Sequence, residues 1–272
     1  MKKIFHTLFI LFLGLSACQV NTNYEVVNLL NNKIFVLGHG GMGVGNVQYP
    51  INSYEGIANA LSMGADGSEI DMQMTKDSVL VAFHDSFLEE ATDHEGHIYD
   101  KNWAEIKDAT YNKGPYTTYT IASMNRIFTS IPPANYGFTL DLKFNSPDTS
   151  AAYRDLYQRA IIRLVDEFKL KKITIESPSE DFIKALLAKR SDLNVFIYND
   201  YDEAFRIAKD LGLQGVTLKA SDVSEAQVKE LHQNNIAVAV FSTTFKNHDE
   251  TIRKNVDIIQ TDGLKDLLKR LK

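Results

Sequence analysis

Two carboxylates and a histidine stand out in the stretch from Gly64 to Asp85. Glu69 and Asp71 are two residues apart, and His84 follows near the end of the stretch. Side chains alternate between the faces of a β-strand, so Glu69 and Asp71 share a face if they lie on one. Two carboxylates this close disfavour ionisation unless a positive group lies between them, and a divalent cation commonly fills that role. A histidine at the end of the next strand adds a group that exchanges protons near neutral pH.

A third carboxylate, Asp141, lies near the end of another strand-like run, and Lys143 follows two residues later. With Glu69 and Asp71 it would provide three oxygen ligands, which suit Ca²⁺ or Mg²⁺. The surplus of acids and the lack of sulfur argue against zinc. Lys143 would then be free to contact an anionic group. The alternative is that Asp141 and Lys143 form only an ion pair at a strand end.

His39 lies in a glycine-rich segment, GHGGMG at 38–43. Glycines let backbone N–H groups approach a phosphate closely. Together, His39 and His84 would place two imidazoles near the metal. Such a pair suits acid–base cleavage of a phosphodiester, with the metal offsetting charge on the phosphate oxygens.

Apolar strand-like runs alternate with helical patterns along most of the chain. Eight of these runs are predicted strands of a repeated β/α unit: 34–37, 66–71, 137–142, 172–175, 194–198, 215–218, 236–241 and 256–260. A further strand, 79–83, lies close behind the second. This alternation implies parallel pairing with right-handed crossovers. Eight units over about 240 residues fit a TIM (β/α)8 barrel, with a doubly wound open sheet as the alternative.

The charged candidates lie where either architecture binds ligands. His39, Asp71 and Lys143 fall at the carboxyl ends of predicted strands, and His84 ends its own strand. Ligands bind at these ends in both barrels and open sheets. The polar region at about 85–123 interrupts the alternation and is predicted to form an inserted subdomain.

Composition and charge narrow the function. The 272 residues are 44% hydrophobic, which suits a large globular domain, predicted over 33–272. The formal charge of −6 gives no general electrostatic reason to bind nucleic acid. An anionic substrate must therefore be held by a local cation or a few well-placed donors.

Residues 1–17 are predicted to be a secretory signal. Lys2 and Lys3 precede an apolar run that is too short to span a bilayer comfortably. The sequence Leu-Ser-Ala-Cys at 15–18 resembles the bacterial lipobox, in which the cysteine is lipidated. Cys18 would then anchor an exported lipoprotein to a membrane through the polar tether at 18–32. An ordinary signal peptide with an incidental cysteine is the alternative.

The motifs resemble those of the glycerophosphodiester phosphodiesterase family. That family is a TIM barrel with a small insertion, and its motifs are His-Arg-Gly, Pro-Glu-Asn-Thr, Gly-Ala-Asp with Glu-x-Asp, Thr-Lys-Asp-Gly and Phe-His-Asp. This chain has the corresponding segments GAD at 64–66, EID at 69–71, TKD at 75–77 and FHD at 83–85, in the same order and spacing. Near the end, VAVFSTTF and DIIQTDG resemble two further family segments, so the resemblance covers about 34–265.

The resemblance implies a metal-dependent hydrolase that cleaves glycerophosphodiesters to an alcohol and glycerol phosphate. His39 and His84 would be the catalytic pair, and Lys143 would contact the phosphate. Phe241 would form an aromatic wall against the glycerol side. The implied metal ligands are Glu69, Asp71 and Asp141. Two alternatives stay open: a binding barrel that is non-catalytic or of altered specificity, and another metal-dependent enzyme on the same barrel, such as a sugar hydrolase or an aldolase.

Three positions depart from the family pattern. Gly40 replaces the arginine of the first motif, and Ile51 replaces the glutamate of Pro-Glu-Asn-Thr. Asp141 stands where the family usually has glutamate. A charge-assisted contact is worth roughly 1.5–3 kcal/mol, so losing the arginine would cost on the order of a hundredfold in rate. Lys219, at the end of the strand GVTLK, is predicted as a substitute; otherwise the usual glycerol phosphate headgroup is not the substrate.

Overall fold

The computed structural model describes residues 24–112, 116 and 118–271, and its strands form a closed barrel. The strands, in chain order, are β1 (Phe35–Gly38), β2 (Gly67–Met74), β3 (Leu80–Ala82), β4 (Ala122–Ser123), β5 (Gly137–Leu142), β6 (Ile173–Ser177), β7 (Val195–Tyr198), β8 (Gly215–Lys219), β9 (Ala237–Thr243) and β10 (Ile258–Thr261). β1 pairs in parallel with both β10 and β2, which closes the ring. The TIM barrel prediction is confirmed, and the open sheet is excluded.

The barrel contains the eight predicted parallel strands, with β1 and β2 followed directly by β5 to β10. The additional predicted strand at 79–83 is β3. It pairs antiparallel with the far end of β2, and β4 pairs antiparallel with β3. The second barrel strand is thus longer than expected, because its last residues extend beyond the ring to form this hairpin.

Helices cover the outside of the barrel, apart from one short helix in the region between β3 and β4. They are α1 (Tyr54–Met63), α2 (Trp103–Ile106), α3 (Met124–Ser130), α4 (Ala151–Phe168), α5 (Glu180–Lys189), α6 (Tyr201–Leu211), α7 (Glu225–Gln233), α8 (His248–Arg253) and α9 (Leu264–Arg270). The main core lies between these helices and the outward faces of the strands. Ser53 caps α1 by accepting a hydrogen bond from Gly56 N (3.0 Å), and Gly64 ends the helix with a left-handed φ of 102°.

The region between β3 and β4 packs around a small apolar cluster of its own. Its buried members include Phe83, Leu88, Ile98, Ile106 and Ile121. This separate core is what the polar, irregular stretch at about 85–123 needs in order to fold beside the barrel. The packing of this region places the segment after β3, which carries His84, against the end of β2.

Aromatic rings fill the part of the barrel interior that is farther from the carboxyl ends of the strands. A Cβ atom on Gly137 would lie 2.6 Å from the Phe35 ring, and one on Gly215 would lie 2.3 Å from the Phe196 ring. Glycine is therefore required at both positions to make room for the rings. The rings of Phe35 and Phe196 form an apolar plug. Polar inward-facing residues begin beyond this plug, toward the carboxyl ends of the strands.

The first described residues lie against the barrel. Within the predicted tether, the hydroxyl of Tyr24 contacts Asp249, and Leu29 N donates to Asp257 Oδ1 (2.8 Å). The predicted signal at 1–17 and Cys18 lie outside the described residues. Among the residues described, no helix is long and apolar enough to cross a membrane.

Candidate active site

Three carboxylates converge at the carboxyl ends of β2 and β5. One oxygen from each of Glu69, Asp71 and Asp141 lies within 4.8 Å of the others. Glu69 and Asp71 are each only 2% exposed, because all of β2 is buried. Asp141 lies opposite Asp71 in the parallel register of the two strands. Within the described part of the chain, no other group of three acidic, histidine or cysteine side chains is arranged to hold a metal.

The residues around two of these carboxylates fix their orientation. Asn52 Nδ2 donates to Asp71 Oδ2 (2.7 Å), and Asp71 N donates to Asn52 Oδ1 (2.9 Å). Gly40 N donates to Glu69 Oε2 (2.8 Å). Both carboxylates are therefore held by the loop between β1 and α1, which also carries His39.

Lys143 brings a positive charge to the other side of the cluster. Its Nζ lies 2.9 Å from Asp71 Oδ1 and 2.7 Å from Asp141 Oδ2. Three ionised carboxylates, two of them buried and that of Asp141 partly buried, with one ammonium group would leave an excess of negative charge. An oxygen-rich, negatively charged cluster fits a hard divalent cation such as Ca²⁺ or Mg²⁺.

Burial and mutual repulsion perturb the acids. Burial and the charge of Asp71 raise the pKa of Glu69 well above its usual range. Burial also raises the pKa of Asp141, although Lys143 acts in the opposite direction. For Asp71, the charges of Lys143 and His84 outweigh burial and lower the pKa. The cluster thus holds its charge only with the help of positive groups.

His39 is held by an aspartate from the opposite end of the chain. Its Nδ1 lies 2.8 Å from Asp262 Oδ1, and its Nε2 lies 3.9 Å from Glu69 Oε2. Burial lowers the pKa of His39, but the hydrogen bond with Asp262 and the charge of Glu69 outweigh it and raise the pKa to about 9. Asp262 fixes the ring so that Nε2 faces the carboxylates.

His84 has a similar arrangement on the other side of the site. Its Nδ1 lies 2.8 Å from Asp85 Oδ1, and this hydrogen bond is the main cause of a raised pKa. The ring is half exposed. Gln73 Nε2 donates to the carbonyl oxygens of Phe83 and Asp85 (both 2.9 Å) and so holds the segment that carries the histidine.

A cavity of about 190 Å³ joins these groups. Nine of its lining residues are His39, Glu69, Asp71, His84, Asp141, Lys143, Glu176, Tyr198 and Phe241. The Tyr198 and Phe241 rings meet edge to face, with centroids 5.3 Å apart. Seven of the eight predicted catalytic, metal-binding and substrate-binding residues therefore line one cavity, and their roles stay predictions.

The structure does not bring Lys219 into this cavity. Lys219 lines a neighbouring cavity of about 410 Å³, and Tyr198 and Phe241 line both cavities. Tyr198 and Phe241 are thus shared between the cavity that Lys219 lines and the cavity that contains the carboxylates. Lys219 lies opposite Phe241 at the rim of the barrel, so its position gives no support to its predicted role as a substitute for the arginine.

Ile51 occupies the space beside Gly40. Gly40 has a left-handed φ of 54°, and a Cβ atom built on it would lie 2.9 Å from the Cβ of Ile51. The two departures from the family motifs are therefore in contact. An arginine in place of Gly40 would need both a different loop conformation and a different neighbour.

Four residues of this site were not singled out as candidates from the sequence: Asn52, Asp85, Asp262 and Glu176. Asp262 lies 223 residues from the histidine that it holds. Asn52, Asp85 and Asp262 fall within segments that resemble those of the family, which was the available signal. Glu176 lies in the sixth strand at a position that strand alternation would point inward.

A family model agrees with the motifs and the geometry. The model of the glycerophosphoryl diester phosphodiesterase family matches residues 45–264. The chain belongs to this family. The resemblance inferred from the motifs is thus confirmed.

Curated relatives fall into two groups by coverage. A glycerophosphodiester phosphodiesterase of Caldanaerobacter subterraneus subsp. tengcongensis is 31% identical over 114 residues, which is 41% of this chain and 46% of the relative. The chain thus matches less than half the length of that protein. A chloroplastic glycerophosphodiester phosphodiesterase of Arabidopsis thaliana is 22% identical over 88% of this chain and 82% of its own length.

Solved structures of the glycerophosphodiester phosphodiesterase fold superpose on most of the chain. A protein of Galdieria sulphuraria has a TM-score of 0.77 at 18% identity, covering 91% of this chain and 99% of its own. A phosphodiesterase of Oleispira antarctica, in complex with the product sn-glycerol-3-phosphate, has a TM-score of 0.76 at 19% identity, covering 86% and 95%. At these identities the likeness establishes the shared fold.

Proposed function

We propose that the protein is a metal-dependent phosphodiesterase that hydrolyses glycerophosphodiesters to an alcohol and glycerol phosphate. One observation supports this most strongly. Two imidazoles, each with Nδ1 held by an aspartate, line the same cavity as three converging carboxylates and a lysine. Family membership and the product-bound structure from Oleispira antarctica agree with this chemistry.

Glu69, Asp71 and Asp141 would hold the divalent cation, Ca²⁺ or Mg²⁺. Such an ion offsets negative charge on the phosphate oxygens when it is bound. Lys143, which contacts two of these acids, would hold a phosphate oxygen from the β5 side. The family arginine is absent, so Lys143 and the imidazoles are the cationic side chains lining the described cavity.

The two histidines would move the protons. Water attacks phosphorus while the bond from phosphorus to the leaving oxygen breaks. If a neighbouring hydroxyl of the substrate attacks instead, a cyclic phosphate forms first, and water then opens its ring to give glycerol phosphate. One imidazole accepts the proton of the attacking group, and the other protonates the leaving alcohol. Asp262 and Asp85 hold the Nδ1 atoms of His39 and His84, so the Nε2 atoms are the ones available for transfer.

Hydrolysis of a panel of phosphodiesters, with Ca²⁺ or Mg²⁺ present, tests this function. We expect the wild type to release glycerol phosphate, and His84→Ala to be slower by about 100-fold or more. His94→Ala is the matched control, because His94 is paired with Asp93 at the same 2.8 Å and does not line the cavity. Equal inactivity of the wild type and His84→Ala across the panel would contradict the proposal and favour a binding protein.

We also propose that the protein is exported and anchored to a bacterial membrane through lipidated Cys18. The sequence Leu-Ser-Ala-Cys at 15–18 supports this proposal. Expression of the full chain in bacteria, with labelling by a fatty acid analogue and detergent partitioning, tests it. The wild type should be labelled and enter the detergent phase, whereas Cys18→Ser should do neither. Absence of label on the wild type would contradict the proposal.

A further inference from the structure

Glu176 is a buried acid in the cavity that the proposed chemistry does not use. It lies on β6, opposite Asp141 of β5 and Phe196 of β7, and is 2% exposed. Phe196 belongs to the apolar plug below, so Glu176 forms part of the cavity floor. A buried carboxyl group needs hydrogen-bond partners, because an unpaired one is costly.

One oxygen of Glu176 is satisfied and the other is not. Its Oε1 accepts from Thr217 Oγ1 (2.6 Å) and from Gln260 Nε2 (2.7 Å). Among the residues that the structure describes, none forms a hydrogen bond with Oε2. Among the described residues, the only fully buried side-chain nitrogen or oxygen atom without a hydrogen-bond partner is Oε2 of Glu55. The free oxygen of Glu176 must therefore border the cavity that the residue lines.

The surroundings of Glu176 raise the pKa of its carboxyl group. Burial and the nearby charge of Asp141 raise the pKa of Glu176 to about 8, although hydrogen bonds from Thr217 and Gln260 act in the opposite direction. Because Oε1 accepts both of these hydrogen bonds and Oε2 borders the cavity, Oε2 is the atom that a ligand hydroxyl would meet.

The two halves of the cavity differ in chemistry. The histidines, the metal-binding carboxylates and Lys143 come from β1, β2, β5 and the segment after β3. The other half, from β6 to β10, is formed by Glu176, Tyr198, Thr217, Phe241, Ser242 and Gln260. Hydrogen-bonding groups beside an aromatic ring suit a hydroxyl-bearing carbon chain, whereas a phosphate would be drawn to Lys143, the imidazoles and a cation held by the carboxylates.

We propose that Glu176 binds a hydroxyl group of the polyol moiety of the substrate and so determines specificity for glycerol-bearing diesters. This inference rests on the proposed function, and it adds Glu176 to the polyol subsite, the side of the cavity on which the family resemblance places the glycerol against Phe241. A site built to hydrogen-bond a substrate hydroxyl discriminates strongly against analogues that lack it. Glu176 is thus a substrate-binding residue, outside the proton-transfer steps.

A substrate pair tests this role. Glycerophosphoethanolamine carries hydroxyl groups, and bis(4-nitrophenyl) phosphate carries none. We expect Glu176→Leu to lower kcat/KM for the first by about 10- to 100-fold, mainly through KM, since a buried hydrogen-bonding group is lost. The value for the second should stay within about twofold. Glu176→Gln should restore most of the loss, because an amide group also forms hydrogen bonds with a hydroxyl group. Glu176→Met replaces the leucine variant if circular dichroism shows that the latter is unfolded.

Calorimetry separates this inference from the proposed function. Glycerol 3-phosphate and inorganic phosphate are titrated into the wild type and the variants in the presence of Ca²⁺. Glu176→Leu should weaken only glycerol 3-phosphate. Equal weakening of both ligands, or of neither, overturns the polyol subsite. A wild type that cleaves no diester contradicts the proposed function instead, and the calorimetric comparison then still decides the role of Glu176.

Discussion

Asn52 and Asp71 form a two-point contact at the base of the carboxylate cluster. The Asn52 side chain donates to Asp71 Oδ2 at 2.7 Å and accepts from Asp71 N at 2.9 Å. Asn52 is fully buried and has a left-handed φ of 62°. This contact fixes the orientation of a predicted metal ligand from a loop that also carries His39.

Removing the Asn52 side chain should weaken metal binding. Asn52→Gly keeps the left-handed backbone, since glycine adopts it freely, and deletes both hydrogen bonds. Loss of a partner that orients a ligand typically costs about 10- to 100-fold in metal affinity. Calorimetric titration with Ca²⁺ measures this, with Asn59→Ala as a control, because Asn59 bonds only the Glu55 carbonyl oxygen of α1. Unchanged affinity in Asn52→Gly would show that the contact does not support the site.

The aspartate behind His39 should matter for rate more than for binding. Asp262→Asn removes the charge that holds Nδ1 of His39, so the ring loses its fixed orientation. We expect kcat to fall by about 10- to 100-fold with a smaller change in KM. Asp93→Asn is the control, since Asp93 holds the partly exposed His94 in the same way outside the cavity. A fall in kcat as large in Asp93→Asn would rule out a specific role for Asp262.

Restoring the family arginine at position 40 alone should destabilise the protein. Gly40→Arg places a side chain at a φ of 54° and in contact with Ile51, which we expect to lower the free energy of unfolding by about 1–3 kcal/mol. Gly45→Arg is the matched control, because Gly45 has a φ of 80° and no atom within 4 Å of its Cβ position. Denaturant unfolding of both variants separates crowding from backbone strain.

The double variant Gly40→Arg with Ile51→Glu extends this test. The second substitution replaces the apolar side chain beside Gly40 with the glutamate that the family motif has at position 51. The double variant should be more stable and more active on glycerophosphodiesters than Gly40→Arg alone. If Gly40→Arg alone is as stable as Gly45→Arg and more active than the wild type, the substitutions at positions 40 and 51 act independently, and Ile51 does not hinder the arginine.

Much of the site was predictable because strand alternation and strand ends determine where side chains point. Glu69 and Asp71 share a face two residues apart, and Asp141 recurs at the end of the next barrel strand. The alternation pattern does not show how far along the barrel axis a side chain lies. Lys219 has the inward parity but is exposed at the rim and lines a different cavity.

The supporting contacts were harder to predict because they join distant parts of the chain. Asp262 reaches His39 only after the barrel closes, since β1 and β10 become neighbours at that point. Glu176 is held by Thr217 and Gln260, which come from two other strands. A single sequence contains no local signal for such pairings, although closure of the barrel brings them together.

The buried acid at the cavity floor should also affect stability. The pKa of Glu176 rises from an ordinary 4.5 to about 8 in the folded state. Between these values the folded protein binds more protons than the unfolded chain, so its stability falls as the pH rises. Relative to Glu176→Gln, the wild type should lose free energy of unfolding between about pH 5 and pH 8. Denaturant unfolding across this range measures the difference. A difference that is independent of pH would mean that Glu176 is ionised throughout.

The most direct test of the account is the metal dependence of glycerol 3-phosphate release from glycerophosphoethanolamine. The wild type should release the product with Ca²⁺ or Mg²⁺, stop after treatment with EDTA, and recover when the ion is restored. Asp141→Asn should need about 10-fold or more of the ion to reach half its maximal rate, because one carboxylate ligand is lost. Release that is unaffected by EDTA, or no release under any of these conditions, would contradict a metal-dependent phosphodiesterase.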